Sequence, residues 1–190
     1  MKNALLVVDV QNDFCPGGAL AVKTGDEVVG VINRIMSLFD LVIASKDWHP
    51  SETVHFTRWP PHCVRGTRGA DFHPDLDVTR IDHVVLKGTA NTDDGYSAFE
   101  ATSADLGFLL RHGGVDHVFV TGLATDYCVR ATALDALKAG FRVSVVTDAV
   151  RAVERKPGDG AAALEEIGCS GALLVDSESL KQPNEKKNSP

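Results

Sequence analysis

The sequence has little that would suit a secreted, membrane or nucleic-acid-binding protein. Its four cysteines show no CxxC spacing, which disfavours a disulfide framework. The first apolar run, Ala4–Val8, is too short for a signal peptide or a membrane helix. With 19 Lys and Arg against 26 Asp and Glu, the net charge is −7, and no basic stripe is present for nucleic acid or acidic lipid. We therefore expect a cytoplasmic protein without a nucleic-acid or membrane partner; the sequence leaves open whether it forms a homo-oligomer.

Short apolar runs alternate with amphipathic segments along the 190 residues. The runs predict buried strands at Ala4–Val10, Leu41–Ser45, His83–Lys87, His117–Thr121, Arg142–Thr147 and Ala172–Val175. The amphipathic segments predict helices at Asp26–Phe39, Ser103–His112, Thr125–Ala139 and Asp159–Ile167, with Thr125 or Asp126 as the cap of the third. This order is typical of an α/β fold with a mostly parallel sheet. We expect one domain at residues 1–176 and a mobile polar tail at residues 177–190.

The segment from Asp47 to Asp82 is too long and too rich in Pro, Gly and His for an ordinary connection, and loops of that length are usually functional or disordered. Asp47, His49, His55 and His62 fall within sixteen residues of it. Carboxylate and imidazole ligands suit Zn, Fe or Mn. The density favours a metal site over the alternative, a solvated polar loop.

Four chemically useful side chains lie at predicted strand ends: Asp9, Asp47, Lys87 and Cys128. Ligands of parallel α/β sheets bind beyond the carboxyl ends of the strands, so these side chains are expected to meet. Cys128 lies in the first turn of a predicted helix, where partial positive charge favours a thiolate. Taken alone, Asp9 reads equally as a strand-end cap, Cys128 as a small core residue, and Lys87 more readily as a charge reaching solvent.

Five stretches together resemble the motifs of nicotinamidases, which are isochorismatase-like cysteine hydrolases. The stretches are Asp9-Val-Gln-Asn-Asp-Phe14, Asp47-Trp-His49, Trp59-Pro-Pro-His62-Cys-Val-Arg-Gly66-Thr, Lys87-Gly and Gly122-Leu-Ala-Thr-Asp-Tyr-Cys128-Val. They occur in the family's order, and the likeness extends from about Ala4 to Val175. Each stretch is unspecific alone, but the set is highly specific.

The resemblance implies a three-layer α/β/α sandwich with a mostly parallel central sheet. It also implies hydrolysis of a small amide, nicotinamide, to nicotinate and ammonia, with pyrazinamide as a related substrate. The family's catalytic triad corresponds to Asp9, Lys87 and Cys128. One divalent metal ion, Zn, Fe or Mn, is implied, with ligands at Asp47, His49, His55 and His62.

The resemblance further implies how a substrate is held. Ala124 and Cys128 would form the oxyanion hole with their backbone N–H groups, and the peptide bond before Ala124 would be cis. Phe14, Trp59, Tyr96 and Ala124 would line the ring pocket.

Two other functions stay open at this point. Ureido or N-carbamoyl amidases of the same superfamily share the triad but generally lack a His-rich metal loop. A catalytically silent metal-binding scaffold would have no need for a complete triad. Release of ammonia from nicotinamide separates the leading hypothesis from both.

Overall fold

The predicted strands form one sheet in the computed structural model, which describes residues 2–180. The strands are β1 Lys2–Val8, β2 Leu41–Asp47, β3 His83–Lys87, β4 Val115–Leu123, β5 Arg142–Arg151 and β6 Leu173–Val175. The α-helices in the same part of the chain are α1 Glu27–Ile35, α2 Leu106–His112, α3 Arg130–Lys138 and α4 Asp159–Cys169. Across the sheet the order is β3-β2-β1-β4-β5-β6, and each neighbouring pair is parallel. The predicted α/β fold is thus confirmed.

Helices cover both faces of this sheet. On β1, Ala4, Leu6 and Val8 share a core with buried residues of α2, α3 and α4. Leu5 and Val7 share a second core with the buried face of α1. All five side chains are buried, because a central strand of a covered parallel sheet has no face toward solvent. The molecule is therefore a three-layer α/β/α sandwich.

The third helix begins differently from the sequence expectation. Thr125–Ala139 was expected to be one α-helix capped by Thr125 or Asp126, but a π-helical turn, Thr125–Val129, precedes α3. Ala124 holds the N-cap position, so the predicted cap is wrong. Asp126 instead accepts two backbone hydrogen bonds from the segment after β5. Its carboxylate satisfies N–H groups outside the helix and ties the turn to that segment.

The end of the described chain packs against β5. Ser177–Leu180 forms a 3-10 turn, and the Ser177 side chain is buried. The backbone N–H and hydroxyl of Ser177 donate to the carboxylate of Asp148 at 2.9 and 2.5 Å. Residues 181–190 of the predicted tail lie outside the described residues. Between residues 2 and 180, no helix is both long enough and apolar enough to cross a membrane.

The strand order creates a crevice at the carboxyl ends of β1 and β4. From β1 the chain continues to β2 on one side of this pair, and from β4 it continues to β5 on the other side. Loops that diverge at such a reversal leave room for a ligand. Gly122 in β4 makes the close strand contact there, because it has φ +107° and an added Cβ would overlap the carbonyl oxygen of Val8. The residues that follow β1 and β4 consequently face the same crevice.

Candidate active site and metal centre

Asp9, Lys87 and Cys128 meet at this crevice, as the strand-end argument predicted. Asp9 directly follows β1 with φ +49°, Lys87 is the last residue of β3, and Cys128 lies in the π-helical turn after β4. Lys87 Nζ is 2.8 Å from Asp9 Oδ2 and 3.5 Å from Cys128 Sγ. The side chains of Lys87 and Asp9 have no exposed surface. Reading Lys87 as a charge that reaches solvent is therefore wrong.

Lys87 is held by a second carboxylate as well. Its ammonium group is 2.5 Å from Asp47 Oδ1 and donates to the carbonyl oxygen of Gly95 at 2.7 Å. Burial lowers the pKa of Lys87, but Asp47 and Asp9 outweigh burial and hold that pKa well above its usual value. Burial likewise raises the pKa of Asp47, but Lys87 and His49 together outweigh burial and the pKa is lowered. Lys87 and Asp47 are thus both charged at neutral pH.

Of the two carboxylates beside Lys87, Asp9 is the more easily protonated. Burial raises its pKa to about 6 even though Lys87 opposes the rise. Ser45 Oγ donates to Asp9 Oδ1 at 2.8 Å, and Asp9 Oδ2 faces the Lys87 ammonium at 2.8 Å. A carboxylate with a pKa near neutrality is suited to accept and return a proton.

Cys128 is a thiol rather than a thiolate at rest. Burial raises its pKa well above the usual value, and the nearby charge of Lys87 does not reverse this. The expectation that the helix N-terminus would favour a thiolate is therefore wrong, because desolvation of the anion is the larger effect. Sγ and one carboxylate oxygen each of Asp9 and Asp47 lie within 4.8 Å of one another. The thiol proton therefore has a carboxylate acceptor close by.

The three histidines of the metal loop form a second cluster beside the first. One ring nitrogen from each of His49, His55 and His62 lies within 4.8 Å of the others, and all three residues are buried. The rings of His49 and His55 stack with centroids 4.6 Å apart. Asp47 Oδ2 lies 3.7 Å from His49 Nε2 and 3.9 Å from His62 Nε2. The three imidazoles thus converge, and the Asp47 carboxylate lies beside the His49 and His62 rings.

The protonation of these rings suits metal binding. Each Nδ1 lies at hydrogen-bond distance from an oxygen: His49 from Gly88 O (2.9 Å), His55 from Asp93 Oδ1 (3.1 Å) and His62 from Pro60 O (2.8 Å). An acceptor at Nδ1 keeps the proton there and leaves Nε2 with a free lone pair. Burial lowers the pKa of His55 and lowers that of His62 to about 4, so both rings are neutral at pH 7. Within residues 2–180, His49 Nε2 is one of two buried side-chain atoms without a hydrogen-bond partner. The donor set therefore fits a divalent ion.

Two residues fix the backbone that carries the metal-site residues. The Gln11 side chain accepts a hydrogen bond from Asp47 N and donates one to Asp47 O, both at 2.8 Å. These two bonds explain why a glutamine is buried at this position of the first motif. Gly88 has φ +62°, and an added Cβ would lie 2.5 Å from His49 Cε1. Only glycine lets the chain pass this close behind the His49 ring, which explains the glycine after Lys87. Sequence reasoning had assigned neither residue a role.

An aromatic pocket adjoins both clusters. Phe14, Trp59, Tyr96 and Ala124, the residues expected to line it, all do so, together with Cys128. Leu20, Tyr127 and Val153 also line the pocket and were not predicted. Of these, only Tyr127 carried a sequence signal, namely its position next to Cys128. Trp59 Nε1 donates to the Tyr96 hydroxyl at 3.0 Å, and the Tyr127 ring meets Trp59 edge-on at 5.0 Å. The Leu123–Ala124 peptide bond is cis, as the resemblance implied.

Known proteins share this fold and much of this sequence. The chain matches the model of the isochorismatase domain over residues 3–179. It is 44% identical to the nicotinamidase of Escherichia coli (strain K12), with 90% of this chain and 93% of the relative covered. The pyrazinamidase of Pyrococcus horikoshii, solved in complex with zinc, is 42% identical with a TM-score of 0.83, covering 93% of this chain and 99% of the other. PnC1 from L. infantum, solved in complex with nicotinate, is 38% identical with a TM-score of 0.87, covering 94% of each chain. The chain therefore belongs to the nicotinamidase/pyrazinamidase family of isochorismatase-like hydrolases.

Proposed function

We propose that this protein hydrolyses nicotinamide to nicotinate and ammonia, and pyrazinamide in the same way, through a thioester on Cys128. One observation carries the proposal: the buried Cys128 thiol lies 3.5 Å from Lys87 Nζ and beside Asp9, in a pocket that also contains the histidine cluster. A nucleophile, a base and a cation in one apolar pocket are the parts that acyl transfer from an amide requires. The nicotinamidases among its relatives support the choice of substrate.

The pocket suits a small aromatic amide. Phe14, Trp59 and Tyr96 supply aromatic walls, and such walls favour a flat ring through stacked or edge-on contacts. The remaining side of the pocket is formed by the candidate metal ligands. One divalent ion, Zn, Fe or Mn, would be held there by Asp47, His49, His55 and His62. When bound, this ion supplies a Lewis acid that can hold the ring nitrogen of the substrate. Orientation of the ring then aims the carboxamide at Cys128.

Formation of the thioester begins with proton transfer. As Cys128 Sγ attacks the carboxamide carbon, its proton passes to the Asp9 carboxylate, one oxygen of which lies within 4.8 Å of Sγ. Lys87 lies within 3.5 Å of both atoms and stabilises the negative charge on sulfur while the bond forms. The backbone N–H groups of Ala124 and Cys128 stabilise the oxyanion, at about 3–4 kcal/mol for each donor.

Release of the products uses the same proton in reverse. The carbon–nitrogen bond breaks as Asp9 returns the proton to the leaving nitrogen, which departs as ammonia. A water molecule then attacks the thioester carbon and gives one proton to Asp9. The carbon–sulfur bond breaks, Cys128 regains its proton from Asp9, and the product acid loses its remaining proton to water and leaves as nicotinate. The cycle closes with all residues in their starting protonation states.

The test is ammonia release from nicotinamide by the purified, metal-loaded protein. Cys128→Ala should abolish release and keep the metal content, whereas Cys169→Ala, which removes an exposed thiol, should change neither. Chelation should stop release, and adding back Zn, Fe or Mn should restore it. Full activity of Cys128→Ala would refute the thioester route. A folded, metal-loaded protein that releases ammonia only from N-carbamoyl amides would refute nicotinamide as the substrate.

The proposal also includes the location and the partner of the protein. Its partner is a small-molecule amide, and it acts in the cytoplasm without nucleic acid or membrane. Whether it forms a homo-oligomer is measured by light scattering on the purified chain.

A further inference from the structure

The three metal-site histidines differ in what holds their Nδ1 atoms. His49 and His62 face backbone carbonyl oxygens of Gly88 and Pro60, which no side-chain substitution removes. The acceptor for His55 is a side chain, the Asp93 carboxylate, at 3.1 Å. Asp93 lies in the long connection between β3 and α2, outside every motif that the sequence analysis singled out.

The Asp93 carboxylate is itself held in place from its other side. Asp93 Oδ2 pairs with Arg58 Nη1 at 2.7 Å, while Oδ1 faces His55. Each carboxylate oxygen of Asp93 thus has its own partner. Asn91 Oδ1 also accepts from Val54 N at 2.7 Å. Residues 91–93 thus contact the 3-10 turn Val54–Thr57, which carries His55, at two points.

His55, like the other two rings, needs an acceptor at Nδ1 to bind a metal through its other nitrogen. A neutral imidazole can carry its proton on either nitrogen, and only a ring with a free, correctly aimed nitrogen can bind a metal. An acceptor at Nδ1 selects the tautomer, fixes the ring orientation and raises the basicity of the ligating nitrogen. His55 is buried, and the acceptor at its Nδ1 is the Asp93 carboxylate.

We propose that Asp93 is a positioning residue that makes His55 a metal ligand. The inference rests on the metal site of the proposed function. Asp93 contacts neither the substrate pocket nor the catalytic cysteine, so its effect on the reaction passes through His55. Loss of an outer partner of this kind typically weakens metal binding by about 10–100-fold.

The experiment measures metal affinity by competition with a chromophoric chelator, using zinc as the probe and no substrate. Asp93→Ala should weaken zinc binding about 10–100-fold. Asp93→Asn keeps an acceptor oxygen and should recover most of that loss. Arg58→Gln is the matched control, because it removes the same ion pair as Asp93→Ala but leaves the acceptor facing His55; its zinc affinity should stay within about threefold of wild type.

A second measurement separates positioning from general loss of structure. If Asp93 acts through His55, the double variant His55→Ala/Asp93→Ala should bind zinc no more weakly than His55→Ala alone. The absorption spectrum of the cobalt-substituted protein should change in Asp93→Ala and not in Arg58→Gln. Zinc affinity of Asp93→Ala within twofold of wild type, equal losses in Arg58→Gln, or additive losses in the double variant would each overturn the proposal.

The result is independent of whether nicotinamide is the substrate. Weakened zinc binding in Asp93→Ala, in a wild-type protein that releases no ammonia, would support the positioning role and reject the proposed function. Normal turnover by the wild type with unchanged zinc affinity in Asp93→Ala would support the proposed function and reject the positioning role.

Discussion

Asp9→Asn should make the protein more stable and far less active, because one buried charge serves the reaction and opposes folding. Burial raises the pKa of Asp9 from 3.8 to about 6, with Lys87 opposing. A carboxyl group whose pKa is higher in the folded state binds its proton more tightly there. Its contribution to stability is therefore full below pH 3.8 and is lost as the pH rises through about 6.

The size of the effect follows from the two pKa values. Each tenfold difference in proton affinity corresponds to about 1.4 kcal/mol, so the ionised Asp9 lowers the free energy of unfolding by about 3 kcal/mol above pH 6. Asparagine keeps the shape and an oxygen for the Ser45 hydroxyl, which donates to Asp9 Oδ1. Lys87 keeps Asp47 as its partner at 2.5 Å. The variant should gain up to about 3 kcal/mol at pH 7.5 and almost nothing at pH 4.

Activity should move in the other direction. Asparagine cannot accept the thiol proton, and loss of a general base typically lowers the rate about 10²–10⁴-fold. Urea unfolding of the metal-free protein at pH 4 and 7.5 measures the first effect, and ammonia release by the metal-loaded protein measures the second. Asp148→Asn is the control, because Asp148 accepts two hydrogen bonds from Ser177 and should lose stability. Lower stability of Asp9→Asn than of wild type at pH 7.5, or activity within tenfold of wild type, would refute the reasoning.

Three further substitutions test neighbouring parts of the site. Lys87→Met leaves two buried carboxylates without their cation and should lower the free energy of unfolding by about 3–5 kcal/mol in urea titrations. Gly88→Ala places a Cβ against a metal-site histidine ring and should weaken zinc binding at least tenfold; Gly66→Ala, with φ +77° but open space, should not. Trp59→Phe removes the hydrogen bond to Tyr96 and should raise KM about fivefold with kcat nearly unchanged, as expected for about 1 kcal/mol of binding.

The fold could be predicted because the strands of a parallel sheet that is buried on both sides are short, nearly continuous apolar runs. The β3 prediction, His83–Lys87, agrees with the structure at both ends, and β1 differs only at its ends. Helix boundaries were less accurate. The segment predicted as the helix Asp26–Phe39 ends its α-helical part at Ile35 and continues as a 3-10 turn. The local hydrophobic pattern predicts which face of a helix is buried, whereas the conformation of the last helical turn depends on what packs against it.

The sequence identified the motif residues, but it did not predict the protonation and burial of Lys87 and Cys128. Lys87 looked like a charge reaching solvent, and Cys128 looked like a thiolate at a helix N-terminus. Both judgements used neighbours in sequence, while the structure surrounds Lys87 with two carboxylates and buries Cys128. Burial and charge at distances of 3–4 Å are set by residues that are 40 or more positions apart.

The sequence by itself determined the order of strands and helices, the family motifs and which side chains are candidates for the metal site, because each depends on residue type and short-range spacing. Only the tertiary structure decided that the Lys87 ammonium joins Asp9 and Asp47, that Gln11 fixes the backbone of Asp47, and that Asp93 faces His55. These contacts join segments 36 to 78 residues apart. The strand order of the sheet, rather than any local pattern, brings them together.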